Sequence, residues 1–339
     1  MLFGIAIPTC KEGLSSPVGF ARPEQVIQII QRGEELGYHS VWGNDHITAP
    51  RYVRESFEDP PNFYEPLVVL AAAAAVTTTI RLATAVAVLP MREPVYLAKQ
   101  VATLDNFCRG RVILGTGIGA YREEFERLHP RLKEVRRGRM LDEGLEILRA
   151  LFEEQKVSFR GDHYELDGIE LFPKPLQHPL PIFVGGNHPT VISRAARLAQ
   201  GWLPASMSVE ELRQKGEQLR EEAVAAGRDA DSVQVAPQLM CSISPTHEEA
   251  VEKFRSSWMY KHLQTLAAST LRGQDTGRLE DLNLVGSPAE LVEKIQRLEG
   301  AGVSMLAAMN FVGGTVEEWL EDMQYFAEEV LPSFGGGRD

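Results

Sequence analysis

Cysteine is scarce in this chain. Cys10, Cys108 and Cys241 lie far apart, form no Cys-x-x-Cys pair and leave one thiol without an intramolecular partner, which argues against a disulfide scaffold or a thiolate zinc site. A reducing compartment, the cytoplasm, is expected. There is no His-Glu-x-x-His, no His-x-His after the first strand and no Gly-x-Ser-x-Gly, so no metal is expected and the commonest serine-hydrolase elbow is removed. Positive charge is in deficit: 35 basic against 47 acidic side chains leave a net charge of -12, which repels a phosphate backbone or an anionic membrane. The densest cationic stretch, Lys133 to Arg139, reads as a solvated helix start. Long apolar runs are also absent. Leu67 to Val76 falls short of the ~20 residues of a bilayer span, and the opening MLFGIAIPTCKEG carries no basic leader segment. Neither nucleic acid nor a membrane is expected as a partner.

What is present is the composition of an ordinary globular protein, 44% hydrophobic and 24% charged over 339 residues, enough for a full-sized core. Short β-rich runs alternate with longer helical patterns along the whole chain, the pattern of repeated βα units and a parallel sheet. Strands are expected at Phe3 to Pro8, Ser40 to Asn44, Ile80 to Leu89, Arg111 to Gly115, Ile182 to Val184, Trp202 to Pro204, Val233 to Ile243 and Met305 to Asn310. Helices are expected between them, including a single one from His247 to about Leu266. Ser208/Glu211, Ser287/Glu290 and Thr315/Glu318 have the spacing of capping boxes, which makes them helix starts and not parts of catalytic triads. Eight strands in parallel favour one closed (β/α)₈ TIM barrel over residues 1–334. The stretches 47–64, 155–181 and 267–286 read as insertions, the second as a hairpin plus a Pro-rich connector, and the tail 335–339 as mobile.

In such a barrel, ligands sit at the carboxyl ends of the strands, so the residues after each strand carry the functional argument. Thr9, Cys10, Lys11 and Glu12 follow the first strand, and Asp45 and His46 the second. An imidazole there can give or take a proton near neutral pH, with a nearby carboxylate to fix its tautomer, or can simply hydrogen-bond loop backbone. The remaining histidines, His262 among them, default to solvated roles. Gly115-x-Gly117-x-x-Ala120 formally meets a dinucleotide fingerprint, but no acidic strand end follows at the required distance. A glycine-rich strand end against which a flat ring can lie suits a barrel better. Gly185-Gly186-Asn187 precedes a helix, so it reads either as an anion site made of backbone amides or as a tight turn needing positive φ. Tyr52, Phe57, Phe63 and Tyr64 give the insertion 47–64 the composition of a lid, of ordinary loop packing or of a dimer contact.

Taken in order, ELGYHSVWGNDH, EPLVVLAAAAAVTTTIRLATAVAVLPMREPVYLAKQVATLD, GRVILGTGIGAYREEFE, RRGRMLDEGLEILRALF, LFPKPLQHPLPIFVGG and RAARLAQGWLP resemble the bacterial luciferase-like monooxygenase family, in particular its deazaflavin-dependent (F420) oxidoreductase branch. The resemblance implies a barrel that binds coenzyme F420, or FMN, at the strand ends and acts on a small organic substrate. It implies Asp45 and His46 beside the ring, with His46 as acid/base. Ala85 and Val86 match a strand bulge under the ring that often carries a non-proline cis peptide. Thr116, Gly117 and Ile118 are implied as ring or side-chain contacts, and Gly185, Gly186 and Asn187 as the phosphate site. One departure stands out: Ala120 occupies the place where some F420-dependent relatives carry an acidic residue, leaving Glu12, Glu124 or Tyr121 to compensate. Three functions follow: hydride transfer between F420 and an organic substrate, oxygenation with FMNH₂ and O₂, or flavin/deazaflavin binding without catalysis. Relatives are commonly homodimers, so a dimer is expected.

Overall fold

Most strands of the main sheet read as apolar because both of their faces are covered, one by helices and the other by side chains from across the curl. The computed structural model describes residues 1–267 and 269–335, so all but the first residue of the expected mobile tail lies outside it. The strands are β1 (Leu2–Ile7), β2 (Ser40–Gly43), β3 (Arg81–Thr84), β4 (Ala87–Val88), β5 (Val112–Gly117), β6 (Val157–Arg160), β7 (Glu165–Ile169), β8 (Ile182–Gly185), β9 (Gly201–Leu203), β10 (Gln234–Val235), β11 (Gln238–Ile243), β12 (Leu284–Gly286) and β13 (Met305–Phe311). All but β6 and β7 join one parallel sheet in the order β10-β9-β8-β5-β3-β2-β1-β13-β11-β12, with β4 also on β5. β6 and β7 form the expected antiparallel hairpin.

The sheet is curled, and side-chain alternation divides its core in two. Ile5, Ile7, Val41, Leu82, Val112 and Leu114 point outward into the layer shared with the helices. Ala6, Trp42, Ala83, Ile113, Phe183, Leu203, Ala236, Met305 and Ala307 meet on the inside. The helices keep one apolar stripe each. Pro23–Glu35 buries Val26, Ile29, Ile30 and Gly33, and a Cβ on Gly33 would lie 2.8 Å from Ile5 Cδ1, so the glycine sets how closely this helix approaches β1.

Several expectations are corrected. The run Ile80 to Leu89 is two strands, with the bulge that the resemblance implied lying between them at the cis Ala85–Val86 peptide. Val233 to Ile243 also divides at Ala236-Pro237, where proline has no N–H for a ladder: β10 pairs with β9 and β11 with β13. The helix from His247 breaks into His247–Ser256 and Trp258–Thr265 at Ser257, whose hydroxyl accepts from Tyr260 N and caps the second piece. β12 lies inside the stretch 267–286, and 47–64 contains a short helix, Arg51–Ser56. Ser208/Glu211 and Ser287/Glu290 are capping boxes. At Thr315 only the hydroxyl half forms, since the Glu318 carboxylate accepts from Gly314 N instead. No helix among the described residues is long and apolar enough to cross a membrane.

Candidate active site

A cavity of about 730 Å³ opens at the carboxyl ends of the strands. That volume suits a cofactor or drug-sized ligand of roughly 300–1,000 Å³. Asp45, His46, Ala85, Val86, Gly117, Ile118, Gly185, Gly186 and Asn187 all line it. Thr116 does not. It is fully buried and its hydroxyl donates to Ala87 O at 3.1 Å, tying β5 to β4.

His46 follows β2, and its Nδ1 lies 2.9 Å from Glu124 Oε2. The other Glu124 oxygen accepts the amides of Ile47 and Thr48, so the carboxylate fixes both the ring and the backbone that carries it. Glu124 is 2% exposed, and no protein hydrogen bond to His46 Nε2 occurs among the described residues. The loop-backbone alternative for the imidazole is thereby replaced by a His–carboxylate pair. Phe63 and Tyr121 close over the ring with centroids 5.7 and 5.6 Å away. Asp45 is committed elsewhere. Arg92 grips both of its oxygens at 2.9 and 2.8 Å, and Val88 N donates to Oδ2 at 2.9 Å. Asp45 therefore positions the end of β4, and the carboxylate on the histidine is Glu124.

Val86, which follows the strand next to the one that carries His46, fits between two strand ends. A Cβ on Gly117 would lie 2.9 Å from Val86 Cγ2 and one on Gly185 2.7 Å from Cγ1, so both glycines are required for the bulge to seat. Gly186 has φ +130°, which explains it as a turn residue, and its carbonyl accepts from Trp202 Nε1 at 2.9 Å. Asn187 spans Ala205 N and Thr270 O at 2.8 and 3.1 Å, fixing the loop before helix Pro189–Leu198. The helix N-terminus faces the cavity through His188 and Pro189, where backbone amides and the helix dipole favour an anion.

Three cavity residues escaped sequence reasoning. Lys11 was visible only as a strand-end residue, yet it is 6% exposed and burial lowers its ammonium to about 7. His262, expected at the surface, lines the cavity; burial first, then His46 and Lys11, push its imidazole down to about 4. Arg137 belongs to the cationic stretch read as solvated, but its guanidinium turns inward and donates to Ile118 O and Gly119 O at 2.8 and 3.2 Å. Periodicity places the helices; it does not tell which long side chain folds back over a neighbouring loop. The other compensating candidates differ: Tyr121 bonds Tyr52 hydroxyl to hydroxyl at 3.1 Å, while Glu12 accepts from Asn62 N at 2.7 Å.

A curled parallel sheet with a cavity at its strand ends, lined by a His–carboxylate pair and a glycine cradle, is an enzyme site of the (β/α) type. The family model described as luciferase-like monooxygenase matches residues 1–305, and the chain belongs to that family. It is accordingly an F420- or FMN-dependent oxidoreductase of the luciferase-like kind. An F420-dependent glucose-6-phosphate dehydrogenase of Amycolatopsis mediterranei is 28% identical over 91% of this chain and 94% of its own. An FMNH₂-dependent dimethylsulfone monooxygenase of Pseudomonas putida is 28% identical over 70% of each chain. The solved structure of a monooxygenase from Streptomyces bottropensis covers 98% of this chain and 100% of its own, with a TM-score of 0.80 at 24% identity, and supports the fold.

Proposed function

We propose that this protein transfers a hydride between coenzyme F420 and a small organic substrate, with His46 handling the proton. The observation that carries the reading is the His46–Glu124 pair at 2.9 Å in the same cavity as the Val86 cradle. F420, when bound, supplies the two-electron hydride chemistry. The residues fit such a group: Val86, Gly117 and Gly185 leave a flat apolar platform, and Gly186 with the amides ahead of helix Pro189–Leu198 would hold its phosphate. His46 Nδ1 is held by Glu124, which leaves Nε2 as the nitrogen that gives or takes the substrate proton. Glu124 thereby does for His46 what the missing acid at Ala120 cannot do from its own position. Phe63 and Tyr121 exclude water from the imidazole. F420 is preferred to FMN because the F420-dependent relative aligns over nearly the whole chain, whereas the FMNH₂-dependent one aligns over 70% of it.

We also read the sheet as a closed eight-stranded barrel. Support comes from Ser304 N to Val235 O at 3.2 Å and Ala307 N to Pro237 O at 3.0 Å, which bridge β13 to the continuous segment β10–β11. A homodimer in the cytoplasm completes the proposal. Parallel fluorescence titrations with F420 and FMN test the cofactor: F420 binding with no FMN binding is expected, and FMN binding without F420 binding overturns it.

A further inference from the structure

Lys11 is a buried amine with no counter-ion among the described residues. Its chain leaves β1 into the cavity wall, and no carboxylate pairs with it among the described residues. The Nζ stands 5.5 Å from the centroid of Trp319, a cation–π contact that offsets only part of the cost of burying an ammonium. Glu12, next in the chain, accepts from Asn62 N through Oε2, its Oε1 is buried without a hydrogen-bond partner, and it makes no ion pair with Lys11. Cys10, the acidic group that couples to Lys11, is kept neutral because burial pushes its thiol up to about 12. A buried charge left unpaired by the protein is a place where a ligand charge is missing.

His262 shares this wall. Its Nδ1 is buried and has no hydrogen-bond partner, and the ring is close enough to Lys11 for the two charges to repel. Held neutral at neutral pH, the imidazole can donate one N–H. Leu14, Met240, Met259 and Leu263 line the cavity around the two polar groups and give it an apolar body. In sheet order β1 lies four places from β8, so Lys11 is across the curl from the Gly185-Gly186 cradle and not part of it.

We propose that Lys11 and His262 form a substrate subsite that takes the carboxylate of an apolar organic acid, which names the substrate class of the F420 reading on which this inference rests. Lys11 supplies the charge, the His262 N–H a directional hydrogen bond, and the Met- and Leu-lined wall the burial of the chain.

The test titrates the full chain with hexanoate and with the uncharged hexanamide by calorimetry, with and without F420. Hexanoate is expected to bind about tenfold or more tightly than hexanamide. Lys11→Met should abolish that preference with F420 affinity unchanged, Lys11→Arg should retain part of it, and His262→Phe should reduce it. Matching circular dichroism and melting curves establish that the variants are folded. Equal affinity for hexanoate and hexanamide in the native protein, or a preference that survives Lys11→Met, overturns the subsite. If F420 fails to bind while the preference still depends on Lys11, the subsite stands and the cofactor reading falls. If F420 binds and no preference exists, the cofactor reading stands and the subsite falls.

Discussion

Glu124 joins three donors that would otherwise be unmatched: the His46 ring and the amides of Ile47 and Thr48. Glu124→Ala strands both amides, and a buried donor without a partner costs about 1–3 kcal/mol, so a loss of roughly 2–4 kcal/mol is expected in urea unfolding. Glu124→Gln keeps an acceptor and should lose less. At Lys11 the sign of the pH dependence follows from burial, which lowers the ammonium from 10.5 to about 7. Below that value both folded and unfolded chains carry the proton, and the folded state bears the full cost of burying it. Between about 7 and 10.5 the unfolded chain binds more protons, so stability rises with pH across this window. Lys11→Met should therefore exceed the native protein in stability most clearly near about pH 6–7, with the difference shrinking towards about pH 10. Urea midpoints measured across this range check it; a difference independent of pH contradicts it. On the proposed function, His46→Ala should slow turnover of any substrate found by about a hundredfold or more while F420 still binds, measured from F420 absorbance.

At the level of elements, the cradle depends on glycines whose neighbours differ in how far they can give. A Cβ on Gly115 would stand 1.9 Å from the backbone oxygen of Thr84, so Gly115→Ala must displace β3 itself and is expected to cost more than about 3 kcal/mol by thermal unfolding. At Gly185 the obstacle is the Val86 side chain at 2.7 Å. Gly185→Ala should weaken F420 binding by about tenfold, and adding Val86→Ala should restore it, because removing the obstructing methyls couples the two positions. Fluorescence titration of the single and double variants measures the recovery. Equal loss in both would show that Val86 is not the point of contact. The β-rich runs and their order were legible in the sequence, since short apolar runs set between longer helical patterns mark strands buried on both faces. The break at Ala85–Val86 was legible only through the family resemblance, and those at Ala236-Pro237 and Ser257 were not legible, because each interrupts a run whose composition stays strand-like or helix-like on both sides.

Across the whole molecule, one exposed face is more apolar than a surface usually is. Helix Pro66–Val76 carries only apolar residues, and Val68 and Val76 are 67% and 44% exposed, with Tyr96 of the next helix at 76%. Exposed apolar side chains of this kind are what an interface would cover. The proposed homodimer is therefore expected through this face: sedimentation should give a dimer for the native chain and a monomer for Val68→Lys, and a native monomer overturns it. Closure of the sheet has its own measure. The Ser304 and Ala307 amides, which bridge β13 to the β10–β11 segment, should exchange as slowly as amides inside β1.

The sequence by itself determined the alternation of strands and helices, the parallel sheet, and the strand-end segments from which the cavity would be built, because these follow from periodicity and from turn chemistry acting over a few residues. It also pointed to His46, Val86, Gly117 and Gly186. Only the tertiary structure decided which carboxylate serves the histidine. Asp45 is its neighbour in sequence, yet it is taken by Arg92, while Glu124 arrives from 78 residues further on. The burial of Lys11 and His262 was decided in the same way. Desolvation depends on everything packed around a group from distant parts of the chain, and no local pattern of residues encodes it.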